Sequence, residues 1–252
     1  MAKTSKTRVD VLLVERGLAD SRDKAKALVM AGAVFVGDRR VDKAGEALPT
    51  DSDLVVRGAA HPWVSRGGIK LAHALEHFKL SVSGTVALDI GASTGGFTDV
   101  LLEHGARKVY AVDVGHGQLA WKLRQDERVE VLERTNARHL TREQVPQPVD
   151  IVVCDVSFIG LELVLPPAMS LAASAAILIA LIKPQFEVGR DQVGKKGVVR
   201  DPALHDEVCT RIGNFVARRL GWRVLGISES PIQGPEGNRE FLIAARYEAP
   251  PS

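Results

Sequence analysis

VALDIGASTGGFTD, running from Val86 to Asp99, is the stretch whose reading decides the fold. Val86 to Ile90 is a short apolar run bounded by Gly84 and Gly91, with one charge, Asp89, near its end, and that pattern predicts a buried strand. The turn Gly91, Ala92, Ser93, Thr94, Gly95, Gly96 follows, and Phe97 to Gly105 then spaces its apolar residues as a helix before a glycine stop. A glycine-rich turn of this kind is expected to leave backbone N–H groups uncovered at a helix N-terminus, where the dipole favours an anionic or polar ligand. A second strand, KVYAVDV, ends at Asp113, at about the distance where an acidic residue meets a ribose diol in nucleotide-binding folds. Gly91, Gly95 and Gly96 give G-x-x-x-G-G rather than G-x-G-x-x-G, so a nucleoside cofactor fits this unit better than a dinucleotide.

Working downstream, Val129 to Leu132 reads as a third strand, and the loop after it offers Asn136 and Arg138 either to flank a nucleoside base or simply to be polar. PVDIVVCD is a fourth strand ending at Asp155, and AAILIALIKPQFE a fifth ending at Lys183. In open parallel sheets ligands gather at the carboxyl ends of strands, and Asp89, Asp113, Asp155 and Lys183 all stand there. The glycine-broken loop VGRDQVGKKGVVR carries Arg190, Lys195, Lys196 and Arg200, which suits a mobile basic flap over nucleic acid. Asp201 and Pro202 open a helix that runs to Gly221. WRVLGISES and EFLIAARYE, joined by a turn-rich segment, form an antiparallel terminal hairpin. A parallel sheet closed by such a hairpin is the layout of class I methyltransferases: α/β, Rossmann-like, mostly parallel and seven-stranded.

Upstream, RVDVLLVERG is a short amphipathic helix, and Asp20 or Ser21 caps a second, SRDKAKALVMAG, whose first turns are crowded by Arg22, Lys24 and Lys26. Cations there oppose the helix dipole, which favours a polyanion partner over a purely stabilising role. AVFVGDRRV and DLVVRG follow as short strands, so this region is a small α+β domain over residues 1–60. Residues 61–65 make a linker, in which Trp63 reads as a packing anchor, and 66–252 form the second domain. The helix in SRGGIKLAHALEHFKL contains His73, Glu76 and His77 in the H-x-x-E-H spacing of inverted zinc peptidases. No third ligand accompanies them and they share a solvent-facing flank, so no metal is expected.

Composition sets the frame. The 252 residues are 45% hydrophobic and 25% charged, enough for a full core in an ordinary globular protein. Residues 1–79 hold 14 Lys and Arg against 10 Asp and Glu, and the remainder 19 against 21, a mildly basic front end compatible with RNA. Cys154 and Cys209 lack metal or disulfide spacing, the N-terminus lacks a signal-peptide core, and Leu171 to Ile182 is too short to span a bilayer. A monomeric cytoplasmic protein without membrane insertion is expected.

The front pattern, RVDVLLVERGLADSRDKAKALVMAGAVFVGDRRV, resembles the small RNA-binding domain shared by ribosomal small-subunit protein four, pseudouridine synthases and tyrosyl-tRNA synthetases. That resemblance implies an RNA face made by Arg22, Lys24, Lys26, Arg39 and Arg40, to which Arg66 at the second domain's start is added. The second domain resembles the FtsJ/RrmJ ribose 2'-O-methyltransferases, whose Lys-Asp-Lys-Glu tetrad is matched in order and context by Lys70, Asp155, Lys183 and Glu240. Joined, the two halves resemble the TlyA family, and the cofactor this implies is S-adenosylmethionine, held by Asp89, the Gly91 to Gly96 turn, Phe97, Asp113 and Asp155. Ribosomal RNA or ribosomal subunits are the implied partner. A ribose hydroxyl is a weak nucleophile, so Lys183 is expected to accept its proton or orient it, with its pKa lowered by nearby Lys70. Asp155 and Glu240 would position the two lysines, and Lys70 would steer the ribose or its phosphate. A cytolytic haemolysin and a non-catalytic RNA-binding assembly factor are the competing readings.

Overall fold

A computed structural model describes residues 5–57 and 61–248. The described chain divides into two compact units, one reaching to Gly68 and the other starting at Ile69.

The first unit contains β1 (Lys6–Arg8), α1 (Val9–Glu15), α2 (Arg22–Met30), β2 (Val34–Val36), β3 (Arg39–Arg40), β4 (Ala47–Pro49) and β5 (Leu54–Val56). Strand β1 pairs with β4, and β3, β2 and β5 form a three-stranded antiparallel sheet. The two helices bury Val9, Leu12, Leu13, Ala25 and Val29 against Val34, Val41, Leu48 and Leu54, a small separate core. Ser21 is the residue that caps α2, its hydroxyl accepting the Lys24 N–H at 3.2 Å. Gly68 lies so close to Trp63 that a Cβ would stand 2.6 Å from the indole, so the tryptophan packs where the sequence drew a linker.

Helix α3 (Gly67–His77) starts two residues ahead of the boundary, and the second unit is built on the rest of it with β6 (Val86–Ile90), α4 (Gly96–Glu103), β7 (Lys108–Val112), α5 (Trp121–Arg124), β8 (Val129–Leu132), β9 (Val149–Cys154), α6 (Leu161–Met169), β10 (Ala172–Ile182), α7 (Pro184–Glu187), α8 (Pro202–Asn214), β11 (Arg223–Glu229) and β12 (Phe241–Glu248). Its seven strands run in the order β11-β12-β10-β9-β6-β7-β8. From β10 to β8 every neighbour is parallel, whereas β12 is antiparallel to both β10 and β11. Central parallel strands are covered on both faces, and β6 accordingly is buried at all five positions, Asp89 included.

Several elements lie outside the sequence reading: the strands β1 and β4 and the helices α5, α6 and α7. Leu161 to Met169 is helical despite Pro166 and Pro167, since burial of Leu161, Val164, Leu165, Ala168 and Met169 outweighs two missing backbone hydrogen bonds. Phe215 to Arg219 continues α8 as a π-helical turn rather than an α-helix. Among the described residues no helix is long and apolar enough to cross a membrane.

Candidate functional site

The site lies at the carboxyl ends of β6, β7, β9 and β10. Asp89 is fully buried one residue before the end of β6. Thr98, in the first turns of α4, donates its hydroxyl to Asp89 Oδ2 at 2.6 Å, while Oδ1 is buried without a hydrogen-bond partner. Burial above all, with the charges of Asp155 and Asp113 acting the same way, pushes the Asp89 carboxyl up to about 7. A buried acceptor with one oxygen unspent is the half-built end of an interaction with a cationic donor.

The turn itself differs from expectation in one respect. Its N–H groups are largely consumed inside the protein: Gly91 and Ala92 donate to Val112 O, Gly95 to Ala92 O, and Ser93 to Asp113 Oδ2 at 2.8 Å. The glycines serve close packing. Gly91 sits at φ +81°, where a Cβ would meet Asp155 O at 2.8 Å, and Gly95 at φ +98°, where it would meet Leu123 at 2.3 Å. Ser93 takes the left-handed region without being glycine, at φ 49°. Asp113 accepts from Ser93 N–H with one oxygen and from Gly115 N–H with the other, at 2.6 Å, which fixes the carboxylate while leaving lone pairs for a diol. Thr94, Gly96 and Phe97 are buried around α4's start, and Ala92 lines the same turn. Asn136 spends its side-chain oxygen on the Arg138 N–H, capping the turn Ala137–His139.

Beside this turn four charged side chains meet. Lys183 Nζ lies 2.5 Å from Asp155 Oδ1 and donates to Ser157 Oγ at 3.1 Å. Lys70 Nζ, from α3, donates to Glu240 Oε2 at 2.6 Å and stands 3.7 Å from Asp155 Oδ2. Lys70, Lys183 and Glu240 are buried and the Asp155 side chain is 18% exposed, so the cluster is largely withdrawn from water and meets it at Asp155. Charges alternate along it: Lys183, Asp155, Lys70, Glu240.

That alternation corrects the expectation for Lys183. Burial draws its pKa down, but the carboxylates of Asp155 and Glu240 more than offset this, and the net direction is upward, so the ammonium is held charged. Asp155 mirrors it: burial raises its pKa, the Lys183 and Lys70 charges lower it further, and the carboxylate stays ionised. Cys154, one residue before Asp155, is buried and pushed up to about 12, so it is no thiolate nucleophile.

Sequence reasoning missed several participants. Ser157 was legible only as a polar residue two positions past Asp155. Phe158 is 89% exposed at φ 66°, its ring 4.9 Å from Phe186. Glu187 closes the far end of this loop by accepting the Leu161 N–H at 2.8 Å and pairing with Arg211 at 3.2 Å.

The residues expected to face RNA are found in two conditions. In the first unit each has a carboxylate partner: Arg22 with buried Asp10 at 2.8 Å, Lys24 with Asp20, Lys26 with Asp23 at 3.0 Å, Arg39 with Glu46 at 2.9 Å, and both Arg40 and Arg66 with Asp42 at 2.9 Å. Lys195, Lys196 and Arg200 are exposed and, among the described residues, form no ion pair. His73 and His77 stack on each other at 5.6 Å, and no group of three metal-ligating side chains occurs among the described residues.

Known proteins match this arrangement along nearly its whole length. The FtsJ-like methyltransferase family matches residues 63–247 and the S4 domain matches 7–54. The 16S/23S rRNA (cytidine-2'-O)-methyltransferase TlyA of Mycobacterium tuberculosis is 49% identical over 242 residues, 96% of this chain and 90% of that protein. Hemolysin A of Brachyspira hyodysenteriae is 41% identical over 93% of this chain and 98% of its own. The structure of a candidate hemolysin from Streptococcus thermophilus superposes with a TM-score of 0.76 at 44% identity, covering 98% of this chain and 91% of that one. With an S4 domain followed by an FtsJ-like methyltransferase domain, and this identity across both, the chain belongs to the TlyA family.

Proposed function

We propose that this chain transfers the methyl group of S-adenosylmethionine to the 2'-hydroxyl of a cytidine ribose in ribosomal RNA, with the first unit docking the RNA. The observation that carries the reading is the meeting of Lys70, Asp155, Lys183 and Glu240 in a mostly buried cluster beside a buried carboxylate with an unspent oxygen. Full-length likeness to a protein named for that activity supports it.

When bound, S-adenosylmethionine supplies an electrophilic methyl on a sulfonium. Asp89 suits its cationic amino group, since a positive partner restores the ionised form that burial disfavours. Asp113, immobilised by two backbone N–H donors, suits its ribose diol, and the Gly91 to Phe97 turn gives the wall between them. With the cofactor bound, Lys183 Nζ would take the proton of the ribose hydroxyl as that oxygen accepts the methyl group. Lys183 can accept it only in the fraction of molecules where it has lost its own proton, and any added positive charge in the cluster enlarges that fraction. Asp155 fixes Lys183, Glu240 fixes Lys70, and Lys70 steers the ribose or its phosphate.

Docking falls to Arg22, Lys24, Lys26, Arg39, Arg40 and Arg66, whose mostly exposed ion pairs are weak enough for phosphates to displace. Lys195, Lys196 and Arg200 add a second cationic patch. Incubating labelled S-adenosylmethionine with ribosomal subunits, followed by mapping of ribose methylation, tests the reading. Lys183→Ala is expected to abolish transfer while cofactor binding stays near wild type, and loss of both together would refute the assigned role.

A further inference from the structure

The loop between α7 and α8 carries Lys195, Lys196 and Arg200, and its attachment is unusual. Lys195 to Gly197 form a single 3-10 turn with Lys196 at φ 63°, and the next two residues, Val198 and Val199, are buried. One side chain from a different segment grips that junction. Asn238, 4% exposed in the connection between β11 and β12, donates from Nδ2 to Gly197 O at 3.0 Å and accepts the Val199 N–H on Oδ1 at 3.2 Å. His205 of α8, 2% exposed, donates from Nε2 to Val199 O at 3.0 Å, so the Val199 peptide groups are held from both directions. Asn238 also stands two residues before Glu240, whose carboxylate holds Lys70. Its own carbonyl accepts the Gly234 N–H at 2.9 Å, and a Cβ on Gly234 would stand 2.1 Å from Glu240 Oε1, so the two residues share one tight turn.

We propose that Asn238 is a positioning residue that fixes the cationic Lys195–Arg200 loop to the turn bearing Glu240, so that a phosphate backbone held by the loop and the hydroxyl facing the cluster keep one register. The proposal rests on the function proposed above. The side chain that does this must be a donor and an acceptor at once and must be buried, which is why a neutral amide stands there rather than a carboxylate or a lysine.

The test uses the full-length protein and ribosomal subunits. Asn238→Ala is expected to lower kcat/KM for RNA by about tenfold or more, the scale of two lost hydrogen bonds, with affinity for S-adenosylmethionine unchanged. The triple change Lys195→Gln, Lys196→Gln, Arg200→Gln lowers kcat/KM in the wild-type background, and in the Asn238→Ala background it has little further effect, because an unanchored loop no longer presents its charges in register. Asn238→Asp retains the acceptor and loses the donor, and it falls between wild type and Asn238→Ala. Independent of any substrate, hydrogen exchange at the Val199 amide quickens about tenfold or more in Asn238→Ala. Multiplicative effects of the two changes, or Asn238→Asp behaving as wild type, would overturn the proposal. If wild type methylates no ribosomal RNA while Val199 exchange responds as stated, the anchor stands and the functional reading fails. If exchange at Val199 does not respond, the anchor itself is refuted.

Discussion

Replacing Asp89 by Asn is expected to stabilise the ligand-free protein and weaken its cofactor affinity together. Keeping ionised a carboxyl whose pKa the fold lifts from 3.8 to about 7 costs about 4 kcal/mol, at about 1.36 kcal/mol for each tenfold change in proton affinity. Because the folded pKa lies above the unfolded one, the native state holds an extra proton between about pH 4 and pH 7. Stability therefore falls as pH rises through that window, and the whole cost is present above it. Asn keeps an acceptor for the Thr98 hydroxyl, now 2.6 Å from Asp89 Oδ2, and removes the charge. Its amide nitrogen takes the place of the partnerless Oδ1 and returns about 1–3 kcal/mol of the gain. A net stabilisation of about 1–3 kcal/mol at pH 8 remains, each kcal/mol moving Tm by about 2–4 °C in a protein of this size. At pH 5 only about 1–2 kcal/mol of the cost remains, which the unpaired amide nitrogen offsets, so the advantage disappears. Thermal unfolding of the ligand-free protein from pH 5 to 8 measures this, and titration calorimetry is expected to show S-adenosylmethionine bound about 10–100-fold more weakly. An Asn variant less stable than wild type at pH 8, or a Tm difference that does not change with pH, would refute the reasoning.

Methyl transfer at saturating substrates is expected to rise with pH across the neutral range, because an upward-shifted Lys183 is neutral in few molecules; a flat profile would make it an orienting cation instead. Gly91→Ala places a Cβ 2.8 Å from Asp155 O at a φ of +81°, and a loss of about 1–3 kcal/mol in urea unfolding should accompany reduced turnover through the displaced aspartate. Changing Lys24, Lys26, Arg39 and Arg40 to Gln breaks only exposed pairs, so Tm should hold within a few degrees. The slope of log affinity for RNA against log salt should flatten by about 0.7–0.9 for each phosphate no longer neutralised, and an unchanged slope would remove these residues from the docking face.

Much of the frame was legible because it depends on local pattern. The apolar run at Val86, the glycine stop at Gly105, the Ser21 and Asp201 caps and the antiparallel closing hairpin each follow from residues a few positions apart. The helix at Leu161 was not legible, since a double proline reads locally as a break and only packing against the core makes the segment helical. The glycine turn was legible as a turn but misleading about its N–H groups: its acceptors, Val112 O and Asp113, come from the neighbouring strand. The front cations could be found in the sequence, while their carboxylate partners, such as Glu46 for Arg39 or Asp42 for both Arg40 and Arg66, could not.

The amino-acid sequence by itself determined which charged residues stand at strand ends and that a strand–turn–helix unit organises the second half of the chain, because hydrophobic period and turn chemistry are short-range. Tertiary structure alone decided how those charges pair. Lys70 meets Glu240 across 170 positions, Asp155 sits between the two lysines, and Lys183 is thereby held charged rather than neutral. A protonation state is set by the sum of burial and the nearest charges in space, and no spacing along a chain encodes that sum.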